Sequence, residues 1–258
     1  VATDIHPTAI VESGAVLDEN VTIGACAYIG AKVECGAGTI VRHHATVEGK
    51  TIIGRDNEIF SYALIGGQSQ DTKAKGGTPG LKIGDNNILR EYVTVHCHSE
   101  DGEYTVLGSH NYCLAYSHIG HECVIGNHFI LGHNSTLGGH MIVEDHANVG
   151  GHTAFHPNCR IGQYSYTGGC SKVVQDIPPF MLADGSPATI KTVNKIGMER
   201  HGFSERDISM AKQIYKMLYR EGLNRSQALE RLGEIEDPES PIAKAIISFV
   251  QSSERGLA

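Results

Sequence analysis

The chain has 258 residues, room for one large domain and a small one, and a formal net charge of −8. That acidity speaks against a nucleic-acid partner, and no apolar run reaches the ~20 residues of a membrane span. Glycine is well above its usual ~7% at 31 residues, which points to many tight turns where φ > 0 is needed at low cost. Seven cysteines show no CxxC pair, and no secretory signal opens at Val1. Reduced thiols in a cytosolic protein, with no disulfide and no metal, are therefore expected.

From Ile5 onward an apolar residue recurs every sixth position: Val11, Leu17, Ile23, Ile29, Cys35 and so on to Ile65, then Ile83, Leu89, Val95, and Leu107 to Val173. Of these 26 positions 22 are Ile, Leu or Val, and Gly follows directly at 14. A small residue often stands four places after the apolar one, as at Ser117, Cys123, Ser135 and Thr153. A period of six fits neither a helix nor simple strand alternation. It is the hexapeptide repeat of a parallel β-helix, in which three hexads make one triangular coil. The aliphatic column lines a narrow solid core, so any site lies on the outside or between subunits.

Two insertions, 67–82 and 97–106, keep the register and read as loops leaving a corner; the longer is of a size that usually carries function. The repeat fades at Val173 to Pro179. The division expected is a β-helix over 1–186 and a C-terminal α-helical domain over 187–258. Ser204-Glu205-Arg206-Asp207 resembles a capping box, and the helix it opens should stop at Gly222. Two more helices are read at 226–232 and 241–250.

Most histidines fall within the repeat. Residues 18 apart stack on successive coils, ~4.8 Å from one another. His121 therefore stacks over Gly139, beside His140, and His156 and Pro157 follow one coil on, so that His121, His140 and His156 form a ladder. His118 lies just before the same corner. A second edge carries Ala115, His133, Gly151 and Gly169, with His152 adjacent. Three readings of the ladder stand side by side: solvent-facing polar corners, zinc held between subunits, and acid–base catalysis. The third is favoured, since an imidazole can deprotonate a sugar hydroxyl and Glu122 can steady the imidazolium. No GxSxG, Walker A or GxGxxG signature frames a rival site.

Four stretches together, SHIGHECVIGN at 117–127, GGQSQDTK at 66–73, TGGCSKVVQDIPPF at 167–180 and NKIGMERHGFS at 194–204, resemble the UDP-N-acetylglucosamine 3-O-acyltransferases of lipid A biosynthesis. The resemblance covers nearly the whole chain. It implies a left-handed β-helix, an exception to the right-handed crossover rule, assembled as a homotrimer with active sites between subunits. It implies transfer of a 3-hydroxyacyl chain from acyl carrier protein to the sugar 3-position without cofactor. It makes His121 the general base, with Glu122 where the family usually has Asp, and the Gly139 N–H the oxyanion donor. Asp71 and Lys73 match sugar- and acyl-contacting positions, and His118, His140 and His156 match substrate contacts. Asn194 and Arg200 match positions near the uridine and diphosphate, and Gly169 the position that limits acyl length. Pro157, His201 and the run His96-Cys97-His98-Ser99 depart from the family pattern. Other readings are a sugar-nucleotide acyltransferase with a 3-amino acceptor, a γ-type zinc carbonic anhydrase on the same prism, and a non-catalytic scaffold.

Overall fold

A computed structural model describes residues 3–235 and 237–258. Strands of mostly two residues stack in parallel into three sheets of eleven, nine and eight strands. The first sheet starts at Asp4–Ile5, the second at Ile10–Val11 and the third at Val16–Leu17, so the chain visits the three in turn. The result is a left-handed β-helix of triangular section. The hexad column points inward and is almost wholly buried: Ile23, Ile59, Leu89, Ile119, Leu131 and Ile161 are each no more than 1% exposed. Full burial of such a side chain stabilises the prism by ~1.5–3 kcal/mol. The first coil is the exception, with Ile5 42% exposed and Val11 and Leu17 only partly buried, because no coil lies beneath it.

The small residues of the repeat are buried at the corners, where Ser135 Oγ donates to the Gly150 carbonyl at 2.8 Å. Between the third and first sheets asparagines do this work instead. Asn87 Nδ2 donates to Asn57 Oδ1 at 2.9 Å, and the Phe129 N–H to Asn111 Oδ1 at 2.8 Å. Each buried amide thereby finds a partner in the next coil.

The glycines turn out to serve a different purpose from the one expected. The corner residue in the left-handed region is rarely Gly: it is His44, Tyr62, Glu122, Asn134, His140 or His146, with φ between 54° and 65°. Glycine after the apolar position instead permits coils to touch, since a Cβ on Gly120 would stand 2.9 Å from the backbone of Gly138 and Gly139. The strained corners are braced by ring stacking from coil to coil. His44, Tyr62, Tyr92 and Tyr116 stack at 4.7–5.1 Å between the first and second sheets. His110, His128, His146 and Tyr164 stack at 4.5–4.8 Å between the third and first.

Both insertions leave from the corner between the second and third sheets. The first runs from the strand Leu64–Gly67 to Gly80–Ile83, the second from Thr94–His96 to Tyr104–Leu107. Their outermost residues thus lengthen strands, leaving loops of 68–79 and 97–103.

At the other end the first sheet continues past residue 187, through an antiparallel pair Met181–Gly185 and Ala188–Val193. The helices start at α1 (Lys195–Arg200), followed by α2 (Glu205–Tyr219), α3 (Arg225–Gly233) and α4 (Pro241–Ser252). The expected capping box of α2 is present, with Ser204 and Asp207 bonding reciprocally, and the helix stops three residues before Gly222. The tail folds back on the prism: the Arg160 guanidinium lies 4.3 Å from the Phe249 ring and donates to Ser252 Oγ. Among the described residues no helix is long and apolar enough to cross a membrane.

Candidate active site

His121 and Glu122 sit at the corner between the second and third sheets, just after the strand His118–Ile119. Because Gly139 stands one coil on without a side chain, the His121 ring can lie against its backbone: a Cβ there would come within 2.6 Å of Nε2. Nδ1, 3.0 Å from the same point, is 3.3 Å from both Ser99 Oγ and Glu122 Oε1. The second oxygen of Glu122 reaches His140 Nδ1 at 2.5 Å, so one carboxylate links two imidazoles that meet edge to face at 5.2 Å. Burial would raise the Glu122 carboxyl, but the hydrogen bond from Ser99 and the imidazoles of His140 and His121 outweigh it and hold it below the usual range. The group is thus kept ionised and fixes the tautomer of His121 with the proton on Nδ1.

Both loops close over this corner. Asp71 Oδ1 accepts from the Lys73 N–H at 2.9 Å, and Ser69 Oγ pairs with Ser99 Oγ at 2.7 Å. Asp71, Lys73, Ser99, Glu122 and His140 line one open cavity of about 630 Å³. At the neighbouring corner between the third and first sheets, the N–H groups of Arg55, Asp85, Ser109 and Asn127 each go to a side-chain oxygen one coil on. The Gly139 N–H has no such acceptor among the described residues, and it lies beside the imidazole.

The other candidates are dispersed. His118 is half-buried on the second sheet, its Nδ1 2.7 Å from Thr94 Oγ1. Burial, then His96 and His121, pushes it down to about 4. His156 stands at the same corner as His121, after the strand Ala154–Phe155, with its ring exposed and its Nδ1 donating to the Pro157 carbonyl at 3.0 Å. Gly169 is exposed at the corner between the first and second sheets, where a Cβ would meet only the Gly151 backbone. Asn194 caps α1, its Oδ1 accepting from Gly197 and its Nδ2 donating to the Tyr164 carbonyl. Arg200 ends that helix and lines a hollow of about 330 Å³ over the first sheet, with Asn148, Tyr166 and Asn194. In a three-sided prism that sheet is opposite the His121 corner.

Sequence reasoning gave no role to Ser69, Ser99 or His96, although it marked the run from His96 to Ser99 as a departure from the family pattern. His96 is 5% exposed and edge-on to His118 at 5.1 Å, and burial and then His121 lower it. Ser99 stands in a loop without periodicity; the signal that could have found it is that the loop leaves the corner that carries His121 one coil later.

The family described as UDP-N-acetylglucosamine O-acyltransferase, domain 2, matches residues 176–258. Among solved structures, LpxA from Acinetobacter baumannii is 38% identical with a TM-score of 0.95, covering 98% of this chain and 99% of that one. LpxA of Bacteroides fragilis 9343, described as a UDP-N-acetylglucosamine acyltransferase, is 34% identical (TM-score 0.94), with 98% and 99% covered. The UDP-N-acetylglucosamine acyltransferase of Arabidopsis is 29% identical (TM-score 0.86) over the same shares.

Proposed function

The chain belongs to the UDP-N-acetylglucosamine acyltransferase family and is an acyltransferase, and from that premise we propose the reaction and the residues that carry it. The enzyme acylates the 3-hydroxyl of UDP-N-acetylglucosamine, the first step of lipid A biosynthesis, and takes a 3-hydroxyacyl group from acyl carrier protein.

His121 Nε2 removes the hydroxyl proton as the oxygen attacks the thioester carbon. The resulting oxyanion is met by the Gly139 N–H. When the carbon–sulfur bond breaks, the imidazolium returns its proton to the leaving thiolate. Glu122 stabilises that imidazolium through Nδ1 and keeps Nε2 free as base. Asp71 and Lys73 hold sugar and acyl chain from the loop; His118, His140 and His156 make further substrate contacts. The observation that carries this reading is the seating of His121 against Gly139, which brings a base and an open N–H donor together.

Asn194 and Arg200 act on the uridine and diphosphate from a second copy of the chain, in a homotrimer with its sites between subunits. Support comes from their position over the first sheet, opposite the His121 corner, which keeps one chain from presenting both to one substrate. Lys212, Lys216 and Arg220, on α2 or capping it and exposed, form a basic surface suited to an acidic carrier protein. A cytoplasmic setting agrees with seven free thiols. Mass spectrometry of the product from defined acyl-carrier thioesters is the test: a 3-O-acylated UDP-N-acetylglucosamine is expected, whereas turnover of a 3-amino analogue alone would contradict the acceptor.

A further inference from the structure

Four side chains at the His121 corner are close enough to share one ion. One ligand atom each of Asp71, His121, Glu122 and His140 lies within 4.8 Å of the others. Three of the four are set by the coils. Glu122 holds a left-handed corner (φ 62°), its N–H donates to Thr105 Oγ1, and its oxygens face the Nδ1 atoms of His121 and His140. The fourth, Asp71, comes in from the loop 68–79.

Two imidazoles and two carboxylates make a mixed nitrogen and oxygen set. Such a set suits zinc and its transition-metal neighbours; magnesium and calcium prefer oxygen alone. With the imidazoles neutral, the two carboxylates match a divalent charge. Zinc sits ~2.0–2.2 Å from each donor, so tetrahedral ligands stand about 3.3–3.6 Å apart. His140, 42% exposed, and Asp71 on its loop have room for that contraction, whereas His121 Nδ1 and Glu122 Oε1 already stand 3.3 Å apart.

We propose that this corner binds one divalent transition-metal ion, zinc in type, and that the ion and the acceptor sugar exclude each other. The binding rests on the four donors alone; the exclusion rests in addition on the acyltransferase reading, which puts the sugar among the same side chains. The ion takes no part in acyl transfer. It occupies the nitrogen that Glu122 otherwise polarises and withdraws His121 from service as a base, so metal acts here as an inhibitor.

The test is calorimetric titration of zinc chloride into the full chain freed of metal, with cobalt(II) as a spectroscopic probe. One ion per chain is expected, with the visible bands of a four-coordinate nitrogen and oxygen site. His140→Ala and Glu122→Gln should each weaken binding about tenfold or more without altering the circular dichroism. Saturating UDP-N-acetylglucosamine should raise the apparent Kd. Absence of stoichiometric binding, or a Kd unchanged in both variants because exposed Cys26, Cys170 or other histidines hold the zinc, overturns the site. Binding that both variants abolish but the sugar nucleotide leaves untouched overturns the exclusion, and with it the seat given to the sugar, while the metal site itself stands.

Discussion

The imidazole of His121 lies against the backbone of Gly139 one coil on, with Nε2 2.6 Å from where a Cβ of residue 139 would be. Glycine at 139 is therefore a condition for the ring's position as well as a source of the N–H.

Gly139→Ala tests that relationship. The methyl group has to push the ring away and crowds the N–H, so kcat should fall by roughly 10²–10³, the usual loss for one oxyanion donor. The thermal melt should change little, because the corner lies outside the apolar column. Steady-state kinetics beside a melting curve check it, and an active Gly139→Ala enzyme would detach the glycine from the chemistry.

Acyl length should respond to Gly169. Its Cβ position meets only the Gly151 backbone, O at 3.1 Å and N at 3.8 Å, so a longer side chain can be built into the open space there. One coil step of ~4.8 Å matches about four methylenes of an extended chain at about 1.25 Å per carbon. Gly169→Met should shift preference to donors shorter by about that number. At ~0.8 kcal/mol per buried CH₂, the blocked long donor loses up to ~3 kcal/mol, or ~10²-fold in kcat/KM, while short donors stay unaffected. A length profile identical to wild type would place the acyl groove elsewhere.

Much of this was legible in the sequence, and the misses have physical causes. The hexad column specified the coils, their stacking and the meeting of His121 with Gly139 and His140, because burial acts on a strict period. The period says nothing about which residue takes the left-handed φ, and there the expectation of glycine failed: stacked rings at Tyr62, Tyr92 and His128 meet the strain instead. Ser69 and Ser99 were given no role because loops have no period to read. The strand Ala188–Val193 and the six-residue α1 were hidden by Pro187 and by shortness, being held by the sheet edge and the Asn194 cap.

Stability should depend on His118. In the folded chain burial, then His96 and His121, hold it down at about 4, against ~6.5 in an unfolded chain. Between those values the unfolded state binds the extra proton, so stability is full above ~pH 6.5 and is lost as pH falls towards about 4. The effect is on the order of 3 kcal/mol at its limit. Urea denaturation at fixed protein concentration should show lower stability at pH 5 than at pH 7. That difference should shrink in His118→Asn, whose amide stands where Nδ1 meets Thr94. An equal pH dependence in both proteins would count against a neutral, buried His118.

Acyl transfer by this chain turns on His121 as the base. The direct measurement is kcat of purified His121→Ala with a 3-hydroxyacyl carrier substrate and UDP-N-acetylglucosamine, at matched oligomeric state and melting temperature. A fall of roughly 10²–10⁴, the usual contribution of general-base catalysis, is predicted. Turnover near wild type in a folded variant would contradict the account.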